Sequence, residues 1–368
     1  MDDSDASIVF DAFGRCNHCK GLERRLGNLP VNSPNHQLIL AEKIAQIKLD
    51  GKGKEYDCVI GLSGGVDSSY VALRVRELGL RPLAVHLDNG WNSDLATRNI
   101  NKLIENLDLD LQTLVIDWEE FRDLQRSFFL AGVIDIEMLT DHAISTFTRR
   151  ITRKYKIRWM ISGANVATEG IMPITWSHSK SDYWNIRSIH ARYGKLPIET
   201  FPIANNYETV RSLMVDRFRR FDILSYVPFH RDAAINRLMD EVDWLPYGEK
   251  HYESIFTKFY QAYVLPQKFQ VDKRLPHYSA LITSGLMTRE EAISAMEADI
   301  YPDEQFRRDL VFVTKKLGFS EKDFLDLMND SPVEHNQFRS IDRTTQFVGP
   351  LLKRLRNRRY VDLSDSKS

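Results

Sequence analysis

The stretch CVIGLSGGVDSSYVALRVRELG, residues 58–79, constrains this chain more than any other. An apolar run, two glycines among three serines, and then an amphipathic pattern describe a buried strand turning sharply into a helix. Glycines leaving a parallel strand let the backbone turn tightly and expose N–H groups at a helix amino terminus, where the helix dipole and unsatisfied donors favour an anion. The stretch therefore reads as a phosphate cradle, with hydroxyls from Ser63, Ser68 and Ser69, backbone from Gly64 and Gly65, and Asp67 at the start of the helix. No lysine occurs between Glu55 and Lys102, so the γ-phosphate-gripping lysine of a Walker loop is missing.

The same alternation continues around it. Strands are expected at 56–62, 82–88, 111–117 and 158–163, and helices at 67–78, 93–107, 119–130 and 140–155. Short apolar strands separated by amphipathic helices imply an α/β fold with a doubly wound parallel sheet. HLDNGWN (86–92) and SGANVATEG (162–170) close the second and fourth strands at their carboxyl ends, where open α/β sheets bind ligands. Four regions follow: an extension with a Cys-x-x-Cys over 1–55, the sheet domain over 56–235, a helical carboxy-terminal region over 236–340, and a basic tail over 341–368. Residues 165–205 are too long and aromatic for an ordinary connection and read as a binding loop or lid. Helices are expected at 207–230 and 249–264, and a small helical tail at 288–331, opened by the caps TREE and SEKD.

Composition narrows the class. The chain has 368 residues, three cysteines and a net charge of −1, so it carries no overall attraction to nucleic acid or anionic membrane. RRITRKYKIR (149–158) and KRLRNRR (353–359) read as a solvated helix face and a frayed tail. With no run of roughly 20 apolar residues and an acidic start unlike a signal peptide, a cytosolic protein is expected. Cys58 reads as strand packing, and three cysteines argue against a disulfide framework.

SGGVDSS resembles the S-G-G-x-D-S loop of the PP-loop enzymes, the N-type ATP pyrophosphatases, which cleave ATP between its α- and β-phosphates. The resemblance implies ATP and Mg²⁺ at the loop, His86, Asp88 and Asn89 near the adenosine, and Gly163 and Asn165 beside the cradle. Residues 246–292, together with 86–100 and the CNHC pair, resemble the N-acetyl sugar amidotransferases of surface-polysaccharide and flagellin-glycan biosynthesis. That family turns an acetamido group of a nucleotide-activated uronic or nonulosonic acid, such as pseudaminic acid, into an acetamidino group. It implies adenylation of the amide oxygen, ammonia as nucleophile, and release of AMP and pyrophosphate. Because residue 2 is Asp and no cysteine lies in a nucleophile elbow, a separate glutaminase is expected to supply ammonia, with a cyclase-like partner as channel.

Several side chains are candidates for this chemistry. Ser63 and Asp67 belong to the loop, and Glu169 suits magnesium binding, proton removal from ammonia, or simple helix capping. Lys250, His251, Lys268, Lys273, Arg274 and His277 place six cations where an acceptor with carboxylate and phosphates would need them. Among them Lys250 and His251 are candidates for catalysis and Lys268, Lys273 and Arg274 for acceptor binding. Trp176, His178, Lys180, Asp182 and His190 would form the acceptor lid, while Ile255, Phe256, Phe259, Tyr260 and Tyr263 recur at the spacing of a packed helix face. Relatives carry a second Cys-x-x-Cys, and four thiolates make a closed structural zinc site. Cys16 and Cys19 are half of one, completed by His18 or a partner residue, or else metal-free. The rival readings are a tRNA-thiolating PP-loop enzyme and a nucleotide-binding scaffold without turnover.

Overall fold

The computed structural model describes residues 1–246 and 253–341. Five parallel strands, β1 (Cys58–Gly61), β2 (Pro82–Asp88), β3 (Asp110–Val115), β4 (Trp159–Ser162) and β5 (Arg219–Asp222), form one sheet in the order β3-β2-β1-β4-β5. Cys58, Val59 and Ile60 of the central strand are wholly buried because helices cover both faces. Cys58 and Ile60 face Val71 and Val75, whereas Val59 joins Leu83, Val85 and Ile151 on the other side. This alternation explains the unbroken apolar run of β1. Burial in the strand also pushes the Cys58 thiol far above its ordinary pKa, which leaves it inert.

Two helices precede the sheet, α1 (Asn17–Gly27) and α2 (His36–Asp50). Within it come α3 (Val66–Glu77), α4 (Asp94–Leu107), α5 (Trp118–Ala131), α6 (Met138–Lys154), α7 (Val166–Glu169), α8 (Tyr183–Tyr193) and α9 (Asn206–Met214). The chain winds outward from β1 to β3, then crosses back to β4 and β5. The direction of winding thus reverses between β1 and β4, and the loop after β1 opens at that switch point.

Three expectations need correction. The helix expected at 207–230 is instead α9, the edge strand β5 and a short 3₁₀ turn. Arg217 takes φ +53°, which ends helical continuation, and a four-residue edge strand beginning Arg-Arg carries no apolar period to betray it. The lid expected over 165–205 contains α8, whose Ile186 and Ile189 are fully buried in the main core.

The carboxy-terminal helices are α10 (Arg231–Val242), α11 (Ile255–Phe259), α12 (Leu265–Phe269), α13 (Arg274–Thr283), α14 (Arg289–Glu297), α15 (Asp303–Leu317) and α16 (Glu321–Asn329). A π turn over Tyr260–Val264 joins α11 to α12 directly. Pro266, two residues beyond it, lacks an N–H and would clash in a regular helix, so the wider turn accommodates it. The region 288–331 is no appended tail. Leu310, Val313, Leu317, Phe324 and Met328 of α15 and α16 share one core with Phe121, Phe128 and Phe129 of α5. The expected caps are present: Thr288 and Glu291 form a capping box, and Ser320 caps α16 by accepting from the Asp323 N–H.

Candidate active site

The loop between β1 and α3 is shaped by close approach. Gly64 takes φ +79°, and a Cβ there would lie 2.5 Å from the Ala96 carbonyl oxygen, so α4 leaves room for glycine alone. A Cβ on Gly163 would lie 3.2 Å from the Asp67 backbone, which sets the end of β4 against the start of α3. The Ser63 and Ser68 hydroxyls lie 3.1 Å apart; Ser63 Oγ accepts from the Gly65 N–H at 3.2 Å and Ser68 donates to the Gly65 carbonyl at 3.1 Å. Ser69 is wholly buried and its hydroxyl has no hydrogen-bond partner, an unmet donor in the first turn of α3. The cradle thus combines a helix amino terminus with the Ser63 and Ser68 hydroxyls, the arrangement that holds phosphate oxygens, while Ser69, expected among them, has no exposed surface.

Sequence patterns missed what clamps this loop. The Gly64 carbonyl accepts from Trp244 Nε1 at 3.2 Å, and Asn99 of α4 exchanges hydrogen bonds of 2.8 and 2.9 Å with the Leu245 backbone. These contacts bridge well over a hundred residues, so no local spacing reports them.

At the end of β2, His86 Nδ1 donates to the Leu62 carbonyl at 2.8 Å and Nε2 accepts from Asn92 at 3.1 Å. Asp88 Oδ1 accepts from the Gly90 N–H at 2.9 Å. Asn89 is buried, accepting from the Trp91 N–H at 3.1 Å and donating to Thr140 Oγ1 at 3.2 Å, so it shapes the turn rather than reaching toward a nucleotide. Asn165 caps α7 by accepting from the Ala167 N–H. Glu169 ends α7 and lines a groove with Asn17, His18, Gly21 and Arg25 of α1.

A second cluster lies at the amino end of α6. Because α6 runs back across the sheet to feed β4, its start lies at the carboxyl edge, and the Asn89–Thr140 bond ties it to β2. Asp135 accepts from Lys180 Nζ and from the His178 N–H at 3.1 Å. Lys180 Nζ also lies 3.7 Å from Asp141 Oδ2. Glu137 accepts from Gln261 at 3.4 Å, and the Lys273 ammonium feels Glu137, Lys180, Asp135 and Asp141. Fully buried His142 donates from Nδ1 to the Lys180 carbonyl at 2.9 Å and accepts the Ala204 N–H on Nε2 at 2.9 Å. Burial holds this imidazole neutral, with its pKa lowered to about 4. The sequence singled out Lys180 and Lys273 but not Asp135, Glu137, Asp141 or His142.

Other candidates are engaged elsewhere. Trp176 is buried in the main core. Asp182 caps α8 and accepts from Ser340 and the Ile341 N–H; burial would raise its carboxyl, but these donors and His335 hold it below the usual range. His178 stacks on His335 at 3.9 Å, and His190 Nε2 donates to the Leu196 carbonyl. Lys268 is buried with its ammonium on the Leu327 and Asp330 carbonyls at the end of α16. Arg274 forks onto Asp272 at 2.9 Å and also donates to the Ala298 carbonyl, so its guanidinium is an internal tie. His277 bonds the Thr168 carbonyl at 3.0 Å. Of the packed-face residues, Phe256, Phe259 and Tyr260 are buried in the main core, with Ile255 and Tyr263 against it. Lys250, His251 and the basic run 353–359 lie outside the described residues.

The expected zinc half-site, Cys16 and Cys19, gains no third ligand among the described residues. Cys16 caps α1 through its sulfur, His18 faces Asp5 at 2.5 Å, and burial raises the Cys19 thiol against a hydrogen bond to Thr283. Among the described residues no group of three His, Cys, Asp or Glu side chains comes together as a metal site.

The strand order, the switch-point loop and its Ser-Gly-Gly-Val-Asp-Ser-Ser sequence define a protein of the PP-loop ATP pyrophosphatase class. Residues 42–127 match the NAD synthase family, and residues 253–352 match the family described as LPS biosynthesis protein WbpG-like, C-terminal domain. The chain is therefore a PP-loop protein carrying a WbpG-like carboxy-terminal domain. No curated protein matches it. Among solved structures it is similar to NMN synthetase from Francisella tularensis, with 15% identity, 63% of this chain and 98% of that one covered, and a TM-score of 0.30. It is also similar to NH3-dependent NAD synthetase from Campylobacter jejuni, with 14% identity, 63% and 99% covered, and a TM-score of 0.29. A predicted subunit of tRNA methyltransferase from Methanocaldococcus jannaschii gives 14%, 50%, 76% and 0.28. Scores this low leave the fold resting on strand order and the family matches. Among the described residues no helix is long and apolar enough to cross a membrane.

Proposed function

We propose that this chain is an ATP-dependent N-acetyl sugar amidotransferase of surface-polysaccharide biosynthesis, forming AMP and pyrophosphate. The observation that carries the reading is the union, within one chain, of a phosphate cradle at the sheet's switch point and a WbpG-like domain. ATP would place its β- and γ-phosphates on the amino end of α3, where Ser63, Ser68 and backbone N–H groups are gathered. Ser63, Asp67 and Asp88 would supply oxygen donors of the kind that suit Mg²⁺, whose charge would screen the phosphates. The acetamido oxygen of a nucleotide-linked N-acetyl sugar acid attacks the α-phosphorus, pyrophosphate leaves, and ammonia then displaces AMP to give the amidine. Ammonia would come from a separate glutaminase, with a cyclase-like protein as channel. The protein's work is positioning and charge stabilisation.

A thiolating reaction is disfavoured by the cysteines: Cys58 is sealed inside β1, Cys16 is buried as a helix cap, and half-buried Cys19 lies in α1, ahead of the sheet. The test is mass spectrometry of CMP- and UDP-linked N-acetyl sugar acids incubated with the chain, MgATP and ammonium chloride. Replacement of one oxygen by NH is expected, with glutamine alone giving none. Glutamine-dependent conversion by the pure chain, or an unmodified acceptor under ammonium, contradicts the reading.

A further inference from the structure

We propose that the Asp141 carboxylate, 3.7 Å from the Lys180 ammonium at the amino end of α6, is the base that takes the proton from the nitrogen nucleophile. The inference rests on the amidotransferase reading. The reaction needs a proton acceptor near the adenylate, and the cradle itself offers hydroxyls and Asp67 at the phosphates. Glu169, the residue the sequence suggested, faces the α1 groove instead.

Asp141 stands where the two halves of the chain meet. Its own helix is tied to the end of β2 through Thr140 and Asn89. Lys273 and Gln261 reach the same cluster from the WbpG-like region, residues 253–352. An acceptor recognised by that region and adenylated at the switch point would bring its amide carbon toward this boundary.

The surroundings are built for a held carboxylate. Asp135, 6% exposed, anchors the Lys180 ammonium, and His142, fully buried, fixes the Lys180 backbone and the 204 segment to α6. Lys180 is thereby pinned 3.7 Å from Asp141. The π turn that supplies Gln261 to Glu137 is a form of helix found often at functional sites. Asp141 itself keeps 51% of its side chain open to solvent, so a small nucleophile can reach it.

The groups facing Asp141 set its basicity. Although half of the side chain is open to water, desolvation on its packed side raises its acid to about 6, Lys180 opposes this, like-charged Glu137 and Asp135 add to it, and Lys273 opposes it again. A carboxylate with an acid near 6 is more basic than an ordinary one yet ionised at neutral pH. In the step, the ammonia nitrogen forms a bond to the imidoyl carbon and gives one N–H proton to the Asp141 carboxylate. The carbon–oxygen bond to AMP breaks with its electron pair leaving on AMP, and Asp141 then releases its proton to water.

The experiment separates the two half-reactions in the full chain. Single-turnover pyrophosphate release is measured with MgATP and CMP- or UDP-linked N-acetyl sugar acids without ammonium. Amidine formation is then followed at constant free ammonia across pH. Asp141→Asn is expected to keep pyrophosphate release within a few-fold, to slow amidine formation on the order of 10²- to 10³-fold, and to lose the rise through about pH 6 that the unaltered chain shows. Asp141→Glu is expected to restore part of the rate and the rise. An Asp141→Asn chain with an unchanged rate and profile overturns the inference, as does equal loss in both half-reactions, which marks a purely structural role. Absence of acceptor-dependent pyrophosphate release in the unaltered chain instead overturns the amidotransferase reading, and the inference falls with it.

Discussion

Lys268 and Arg274 show how a cation can resemble a ligand in sequence and serve architecture in the fold. Lys268 sits 8% exposed with its ammonium on the last carbonyls of α16, which have no partner within their own helix and lie at the negative end of its dipole. Lys268→Met removes that donor and leaves buried acceptors unmet, at a cost of about 1–3 kcal/mol. Urea unfolding is expected to show this loss while the acceptor's KM stays unchanged; unaltered stability with weakened acceptor binding would reinstate Lys268 as a ligand. The loop residues were legible because their chemistry is local: glycines, hydroxyls and a helix start lie within seven positions. Asp141 was not, because its meaning depends on Lys180 and Lys273, which no spacing along the chain brings together.

Elements were legible where burial is two-sided. The apolar runs of β1, β2 and β4 and the helices between them follow from covering both faces of a parallel sheet. β5 escaped because an edge strand with exposed arginines needs no apolar period, and α8 because its aromatic, polar sequence hides two core isoleucines. What joins these elements is partly a single neutral imidazole, His142, bonded to the 180 and 204 segments from α6. Unfolded, it titrates near 6.5; folded, burial lowers it to about 4. The folded state binds the proton less well, so the contribution is complete above pH 6.5 and disappears as pH falls to about 4. The loss approaches about 3 kcal/mol at 1.4 kcal/mol per pKa unit. Asp141 acts in the opposite sense, its raised acid returning stability as pH falls from about 6. The two are separated by comparison with His142→Asn, in which denaturant stability is expected to lose the histidine's share of the decline between pH 6.5 and 4. An identical slope in both proteins would show that His142 is already charged at neutral pH or accessible to water.

At the scale of the whole molecule, one core continues from the sheet's α5 into α15 and α16, so the WbpG-like helices are built onto the nucleotide-binding half. In the proposed reaction the loop after β1 grips the pyrophosphate end of ATP and directs attack to the α-phosphorus. Its most direct test is the product pair. With a CMP- or UDP-linked N-acetyl sugar acid, ammonium chloride and MgATP, separation of the nucleotides by ion exchange is expected to give AMP and pyrophosphate in equal amounts, each matching the amidine formed. Formation of ADP and inorganic phosphate in step with product would contradict it, since attack would then fall on the γ-phosphorus.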